Sequence, residues 1–305
     1  GWAIVDEADL DLYELDLKTQ AILGPWKNDE LIGIKNRLQK QFPGQLIAFQ
    51  SNDLNKNTYL FRVFSDIKPG VYYLYSKNTK RLTRLGREYP KMESGEFSAM
   101  QKMFFIARDG LKIPAFLTLP QSGSKPFPLI VLPHGGPIAS DEWGFNTRVQ
   151  FLASRGYAVL QPQFRGSTGY GIEHEEAGYG EWGDKIQDDI TDGVKFLIEK
   201  NMVDRDQVCI VGASFGGYAA AFGLAKTPEL YRCGISINGV MSLTKFAGEG
   251  RWRSGYGKKR LNDTSELTQF SPINNAEKIA SPLLLIASKE DTVVPYQHSK
   301  DMYKK

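Results

Sequence analysis

Residues 212–218 read Gly-Ala-Ser-Phe-Gly-Gly-Tyr, and the reading of this Gly-x-Ser-x-Gly stretch decides the fold. Before it, Gln207-Val208-Cys209-Ile210-Val211 is short, apolar and rich in β-branched residues, as a buried parallel strand should be. After it, Tyr218 to Ala225 is rich in alanine and predicts a helix. A serine on so sharp a strand-to-helix turn is forced into a strained backbone conformation that lifts its hydroxyl clear of the sheet. Gly212 and Gly216 are needed because side chains there would collide across the turn. Ser214 is therefore the candidate nucleophile. The competing reading is a glycine-rich turn with an inert serine.

Outward from this elbow, the pattern from about residue 102 is strand, turn, helix, strand. Candidate strands are Met103–Ala107, Ile113–Leu119, Leu129–Leu132, Tyr157–Gln161, Val208–Val211, Gly234–Ile237 and Leu283–Ala287. The clearest helix is predicted from Trp182 to Lys200, with Ile186, Ile190, Val194, Leu197 and Ile198 on one face. Such alternation argues for an α/β fold with a mainly parallel sheet covered on both faces. Its sites gather beyond the carboxyl ends of the strands, where Ser214 falls.

Before about residue 95 the character differs. Short alternating runs such as Leu12–Leu17 and Val71–Tyr75 are separated by turn-forming stretches, among them 52–57 and Lys68-Pro69-Gly70. The run Leu12 to Thr19 is echoed about sixty residues later by Tyr73 to Thr79, each a strand entering a Lys/Asn/Thr turn. That repeat suits antiparallel β-propeller blades, and it also suits a small antiparallel sheet of no special kind.

Bulk properties exclude several classes. Of 305 residues 41% are apolar, enough for a sizeable core, and a net charge of +3 gives no electrostatic case for nucleic acid. The clusters Arg81/Arg84/Arg87 and Lys258-Lys259-Arg260 read as solvated surface. No apolar run approaches membrane-spanning length, so no membrane partner is expected. The two cysteines, Cys209 and Cys233, sit in apolar strand-like runs and are expected to be buried reduced thiols. Free thiols favour a reducing, cytoplasmic compartment, although a removed signal peptide would leave no trace. No metal site is indicated by any Cys/His spacing. Residues 178–183 satisfy Gly-x-Gly-x-x-Gly but follow His174-Glu175-Glu176 where a strand would be required, so no dinucleotide or other cofactor is expected.

A serine hydroxyl needs a base to become nucleophilic, and its tetrahedral intermediate needs preorganised donors. In the α/β-hydrolase arrangement one donor is the amide after the serine, here Phe215, and another comes from a glycine turn after the third strand. Leu129–Leu132 runs directly into Pro133-His134-Gly135-Gly136-Pro137, which makes Gly136 the candidate second amide; a plain Gly-Pro loop is the alternative. The acid should follow the last strand, where Glu290 and Asp291 compete. Of the three histidines, His134 shapes the glycine turn, His174 lies among acidic residues and reads as surface, and His298 follows Asp291 by only seven residues. The base is therefore expected beyond Lys305.

From about residue 95 onward the chain resembles the prolyl oligopeptidase family of serine peptidases, especially its acylaminoacyl-peptidase and dipeptidyl-peptidase-like branch. The resemblance rests on Arg108-Asp109-Gly110-Leu111 with Leu119-Pro120, on Pro133–Pro137, on the run Phe164–Gly171, on Gly180–Gly183, on the elbow, and on Asp291 with Val294-Pro295. The family spacing to Val294-Pro295 selects Asp291 over Glu290. The resemblance implies an α/β-hydrolase catalytic domain over residues 96–305, lacking its last strand and histidine loop, preceded over residues 1–95 by partial propeller blades. It also implies short peptides as substrates and an acyl-enzyme mechanism; a serine esterase of the same fold, or a non-catalytic hydrolase-like binding fragment, is the alternative. Without the histidine the 305 residues are expected to be inactive. Their unpaired sheet edge would offer a route to self-association as a homo-oligomer. Aromatic residues near Trp143, Phe145 and Tyr218 are expected to line the substrate pocket.

Overall fold

The structure is a computed structural model, describing residues 2–6, 11–15, 22–25, 29–92, 97–249, 252, 257, 260–261 and 263–305. The chain divides into two compact units, residues 1–100 with 142–150, and residues 101–141 with 151–305.

In the first unit β1 (Trp2–Asp6), β2 (Asp11–Leu15) and β3 (Ile22–Pro25) form an antiparallel three-stranded sheet. Residues 16–21, where the repeat beginning at Leu12 was expected to turn, lie outside the described residues, as do residues 93–96 at the expected change of character. A second sheet is a four-stranded antiparallel meander of β4 (Leu46–Asn52), β5 (Thr58–Phe64), β6 (Val71–Ser76) and β7 (Arg81–Arg87). Against it lies α1 (Asp29–Gln39), an element the sequence reading passed over. Leu31, Ile34 and Leu38 recur at helical spacing and pack on Ile47, Tyr59, Phe61, Val63 and Tyr75.

The second unit holds a seven-stranded sheet built from β8 (Met100–Ile106), β9 (Lys112–Thr118), β10 (Phe127–Val131), β11 (Ala158–Pro162), β12 (Val203–Ala213), β13 (Cys233–Ile237) and β14 (Leu283–Ile286), in the order β14-β13-β12-β10-β11-β9-β8. The five strands from β14 to β11 run parallel, and β9 is antiparallel to β11. Among the described residues the α-helices after α1 are α2 (Thr147–Ser154), α3 (Ile172–Glu176), α4 (Lys185–Glu199), α5 (Phe215–Lys226) and α6 (Leu243–Ala247), followed by the short helices Thr264–Leu267 and Gln297–Tyr303. The predicted stripe on α4 enters the core: Ile186, Ile190, Val194 and Leu197 are fully buried with Leu129, Val131, Leu160 and Ile210 of the sheet. Among the described residues no helix is long and apolar enough to cross a membrane. Of the predicted surface run 258–260, Lys258 and Lys259 lie outside the described residues, and the Arg260 guanidinium sits 4.7 Å above the Tyr179 ring.

The cysteines correct the expectation of reduced thiols. Cys209 of β12 stands opposite Cys233 of β13 in the parallel ladder, and the two form a disulfide with Cα atoms 4.8 Å apart. Strand register, which a single sequence does not display, brings together residues 24 apart. Disulfides persist in oxidising compartments, so the argument from free thiols to a reducing one falls away. Closing a loop of this length should stabilise the fold by about 3 kcal/mol through the unfolded state. The double substitution Cys209→Ser/Cys233→Ser is therefore expected to lower the urea midpoint measured without reductant; an unchanged midpoint would count against the bond.

Candidate active site

Ser214 stands between β12 and α5 at φ 56° and ψ −118°, a conformation costing an L-residue roughly 1–3 kcal/mol. The backbone is gripped on both sides: its N–H donates to the Ile237 carbonyl at 2.9 Å, and its carbonyl accepts from the Tyr218 amide at 3.0 Å. A Cβ on Gly212 would collide with the backbone of Gly216, and one on Gly216 with the Pro133 carbonyl. Neither clash can be relieved by moving a side chain, so the turn requires both glycines.

The glycine turn after β10 lies against this elbow. A Cβ on Gly135 would come within 3.6 Å of the Ser214 Cβ and 3.4 Å of the Ala213 carbonyl oxygen. Gly136 has φ 125° and precedes a cis peptide to Pro137. Phe215 is the first residue of α5, and its amide is one of those a helix leaves without an intrahelical acceptor. The Phe215 ring anchors that helix start in the core, 4.5 Å edge-on from Trp182 and 5.3 Å from Phe164.

Across the sheet the register places Ala213, Ile237 and Ile286 level with one another. The chain beyond β14 therefore emerges at the same edge as Ser214, two strand spacings or roughly 10 Å away. There Asp291 is half-buried, and its Oδ1 accepts from the amides of Val293 at 2.8 Å and Val294 at 2.9 Å. Glu290 is exposed. Sequence reasoning missed Asn238, which adopts φ 47° at the end of β13 and accepts the Ser288 amide at 2.8 Å, tying the acid loop to the strand beside the elbow. An asparagine directly after an apolar strand was the available signal, since asparagine tolerates left-handed backbone.

All three imidazoles are occupied elsewhere. His298 is buried at the start of the helix Gln297–Tyr303; its Nδ1 accepts from the Met241 and Ser242 amides at 3.2 and 3.3 Å, and its Nε2 faces Glu249 at 3.3 Å. His174, expected at the surface, is buried, with Nε2 at 3.0 and 3.1 Å from the Gln163 and Phe164 carbonyls. Two carbonyls facing inward offered a partner that the acidic flanking sequence gave no hint of. His134 lies within the glycine turn, with Nδ1 2.7 Å from the Gly135 carbonyl and Nε2 2.9 Å from Ser167 Oγ.

Burial holds the His134 imidazole below its ordinary 6.5, at about 4, and lowers His174 and His298 as well. Between those values the unfolded chain binds the proton and the folded chain refuses it, so stability falls as pH drops from 6.5 toward 4. His134 alone accounts for a loss of about 3 kcal/mol. Asp189 works in the opposite sense, because burial pushes its carboxyl up to about 6. Urea titrations of wild type and His134→Gln separate the two: the variant's acid-side loss should be smaller by about 3 kcal/mol. Identical pH slopes would refute the assignment.

The expected aromatic pocket is corrected in part. Tyr218 is fully buried and its hydroxyl donates to the Phe270 carbonyl at 3.0 Å, because helical periodicity turns it from the elbow into the core. Phe145 is buried against Phe97, 4.8 Å edge-on, and the Trp143 indole donates to the Met100 carbonyl at 3.0 Å, all within the first unit.

Comparison with known proteins agrees with this architecture. The chain is 34% identical over 286 residues to dipeptidyl aminopeptidase BIII of Pseudoxanthomonas mexicana, covering 88% of this chain and 41% of that protein. It is 30% identical over 210 residues to the acylamino-acid-releasing enzyme of Homo sapiens, covering 64% of this chain and 28% of that one. Among solved structures it superposes on a Mycobacterium tuberculosis puromycin-hydrolyzing peptidase with a TM-score of 0.78 at 21% identity, over 98% of this chain and 45% of that chain. For the Pyrococcus horikoshii acylaminoacyl peptidase the TM-score is 0.76 at 22% identity, over 98% and 46%. The second unit thus has the α/β-hydrolase fold. The chain thus spans about two fifths of the length of the first of these curated relatives and under a third of the second. The family model of the prolyl oligopeptidases matches residues 143–305, more than half of the chain and the part that carries the elbow and the acid loop, and the chain belongs to that family of peptidases.

Proposed function

We propose that the intact protein is a serine peptidase that cleaves short peptides, of the acylaminoacyl or dipeptidyl type, through an acyl-enzyme. The observation that carries this reading is the strained Ser214 at the sheet edge, with the glycine turn against it and the Asp291 loop at the same edge. Ser214 Oγ attacks the substrate carbonyl and passes its proton to an imidazole. The Gly136 and Phe215 amides hold the oxyanion, and the collapsing intermediate expels an amine that takes the proton back. Water then repeats the sequence on the acyl-enzyme. Asp291, with one oxygen already fixed by two amides, orients the imidazole with the other.

None of the imidazoles in these 305 residues is free for that role, so we infer that a histidine outside them supplies it. Residues 1–305 alone are then inactive, and a fluorophosphonate should label Ser214 in the intact protein but not in this segment. The four-stranded meander β4–β7 has the strand number and pairing of a propeller blade, and we read it, with β1–β3, as part of a propeller that admits short peptides.

The test is turnover by the intact protein of aminoacyl and dipeptidyl anilides against a p-nitrophenyl ester. Amide cleavage supports the peptidase; ester turnover without amide cleavage rejects it in favour of an esterase.

A further inference from the structure

A carboxylate that orients an imidazole has to be held in place, because a misplacement of about 1 Å can cost roughly 10²-fold in rate. Asp291 stands on a loop, and a loop keeps its shape only where it is tied to a scaffold. The loop is tied at both ends to one stretch of chain, the connection that follows β13. At its entrance the Ser288 amide donates to the Asn238 side chain at 2.8 Å, and the Asn238 amide donates to the Ile286 carbonyl at 2.7 Å. At its exit the tie is His298.

His298 is joined to Asp291 by a short run of bonds. Asp291 Oδ1 accepts from the amide of Val294, which is buried, and the carbonyl of the next residue, Pro295, accepts from the His298 amide at 3.0 Å. The imidazole is wholly buried and stands edge-on to the Phe246 ring, with centres 6.2 Å apart. Its Nδ1 faces the amides of Met241 and Ser242 at 3.2 and 3.3 Å. A main-chain amide can only donate, so Nδ1 is bare and accepts from both. The ring proton is therefore on Nε2, which donates to Glu249 at 3.3 Å.

The charged groups around the ring are Glu249 after α6, Lys245 on α6 and Asp301 on the helix Gln297–Tyr303; Lys245 and Asp301 lie 3.7 Å from each other. Burial lowers the imidazole from its ordinary 6.5 in spite of the acidic partner, which leaves Nδ1 free to accept at neutral pH. Met302 on the same helix shares a core cluster with Met241, so loss of the imidazole would loosen this end of the loop without detaching it.

We propose that His298 is a positioning residue: its bare Nδ1 fastens the exit of the acid loop to the β13–α6 connection and so fixes where Asp291 meets the catalytic imidazole. The proposal rests on the reading of Asp291 given above.

Two substitutions in the intact protein separate the acceptor from the bulk of the ring. His298→Phe keeps a ring and leaves two buried amides without an acceptor; kcat on an anilide is expected to fall about tenfold, with KM unchanged. His298→Asn loses volume but puts a carbonyl oxygen at the δ position, and should keep wild-type kcat. The reverse order would show that packing matters and the acceptor does not. Asp291→Asn is expected to lower kcat about 10⁴-fold, as in an unrelated serine protease triad. Adding His298→Phe to it should cost nothing more, since no carboxylate remains to be misplaced. Histidine ¹⁵N shifts of the Ser214→Ala protein at neutral pH should show His298 bare at Nδ1 and protonated at Nε2, a readout independent of activity. Wild-type kcat in His298→Phe, a further loss in the double variant, or a proton on Nδ1 overturns the positioning role and leaves Asp291 as the acid. Wild-type turnover in Asp291→Asn overturns both.

Discussion

Replacing Ser214 by alanine in the intact protein is expected to lower peptide turnover about 10⁶-fold, the loss seen when a triad serine is removed from an unrelated serine protease. The fold should survive, because the Ser214 side chain makes no capping bond to α5 and the elbow is held by backbone groups. Ser214→Gly sharpens the expectation. At φ 56° a Cβ is strained, and glycine relieves that strain. Ser214→Gly should therefore be inactive and about 1–2 kcal/mol more stable than wild type. Paired anilide assays and urea titrations check both halves. Turnover retained in either variant, or a glycine variant less stable than wild type, would show that the strain is not held for the hydroxyl.

The second large effect concerns Arg165. Its guanidinium donates through Nη2 at 2.7 Å and Nε at 2.8 Å to Asp189, whose side chain is wholly buried, and reaches Asp109 at 2.7 Å on the exposed side. Arg165→Met removes the cation that holds the buried Asp189 carboxyl, which must then take up a proton to remain buried, while the Arg165 main-chain N–H still donates to it at 2.9 Å. Breaking such a pair from one side costs about 3–5 kcal/mol, more than the pair itself contributes. Urea denaturation should show that loss, and Arg165→Met/Asp189→Leu should recover most of it, since two apolar residues leave no buried carboxyl without its partner. Wild-type stability in Arg165→Met would mean that water reaches Asp189.

Much of the site could be read from the one-dimensional pattern, because its parts are local. An elbow is a strand, a tight turn and a helix in succession, and backbone collisions at Gly212 and Gly216 act over four residues. The glycine turn and the acid loop each follow their own strand directly. Helix α1 was legible too, in the spacing of Leu31, Ile34 and Leu38, but strand-like neighbours on both sides masked it. The pairing of Cys209 with Cys233, the burial of His174 and the link from His134 to Ser167 join residues 24, 10 or 11, and 33 positions from their partners.

By itself the sequence pointed to the class of chemistry proposed above, through a serine at a strand-to-helix bend, a double-glycine turn and an aspartate after the last predicted strand. Tertiary structure alone decided which groups meet. Strand register set the disulfide and brought the acid loop level with the elbow, and loop-to-loop packing chose the proton partner of each histidine. The physical reason is that steric demands of a turn act between neighbours in the chain, while the partner of a buried polar group is whichever atom the folded backbone delivers to within about 3 Å of it.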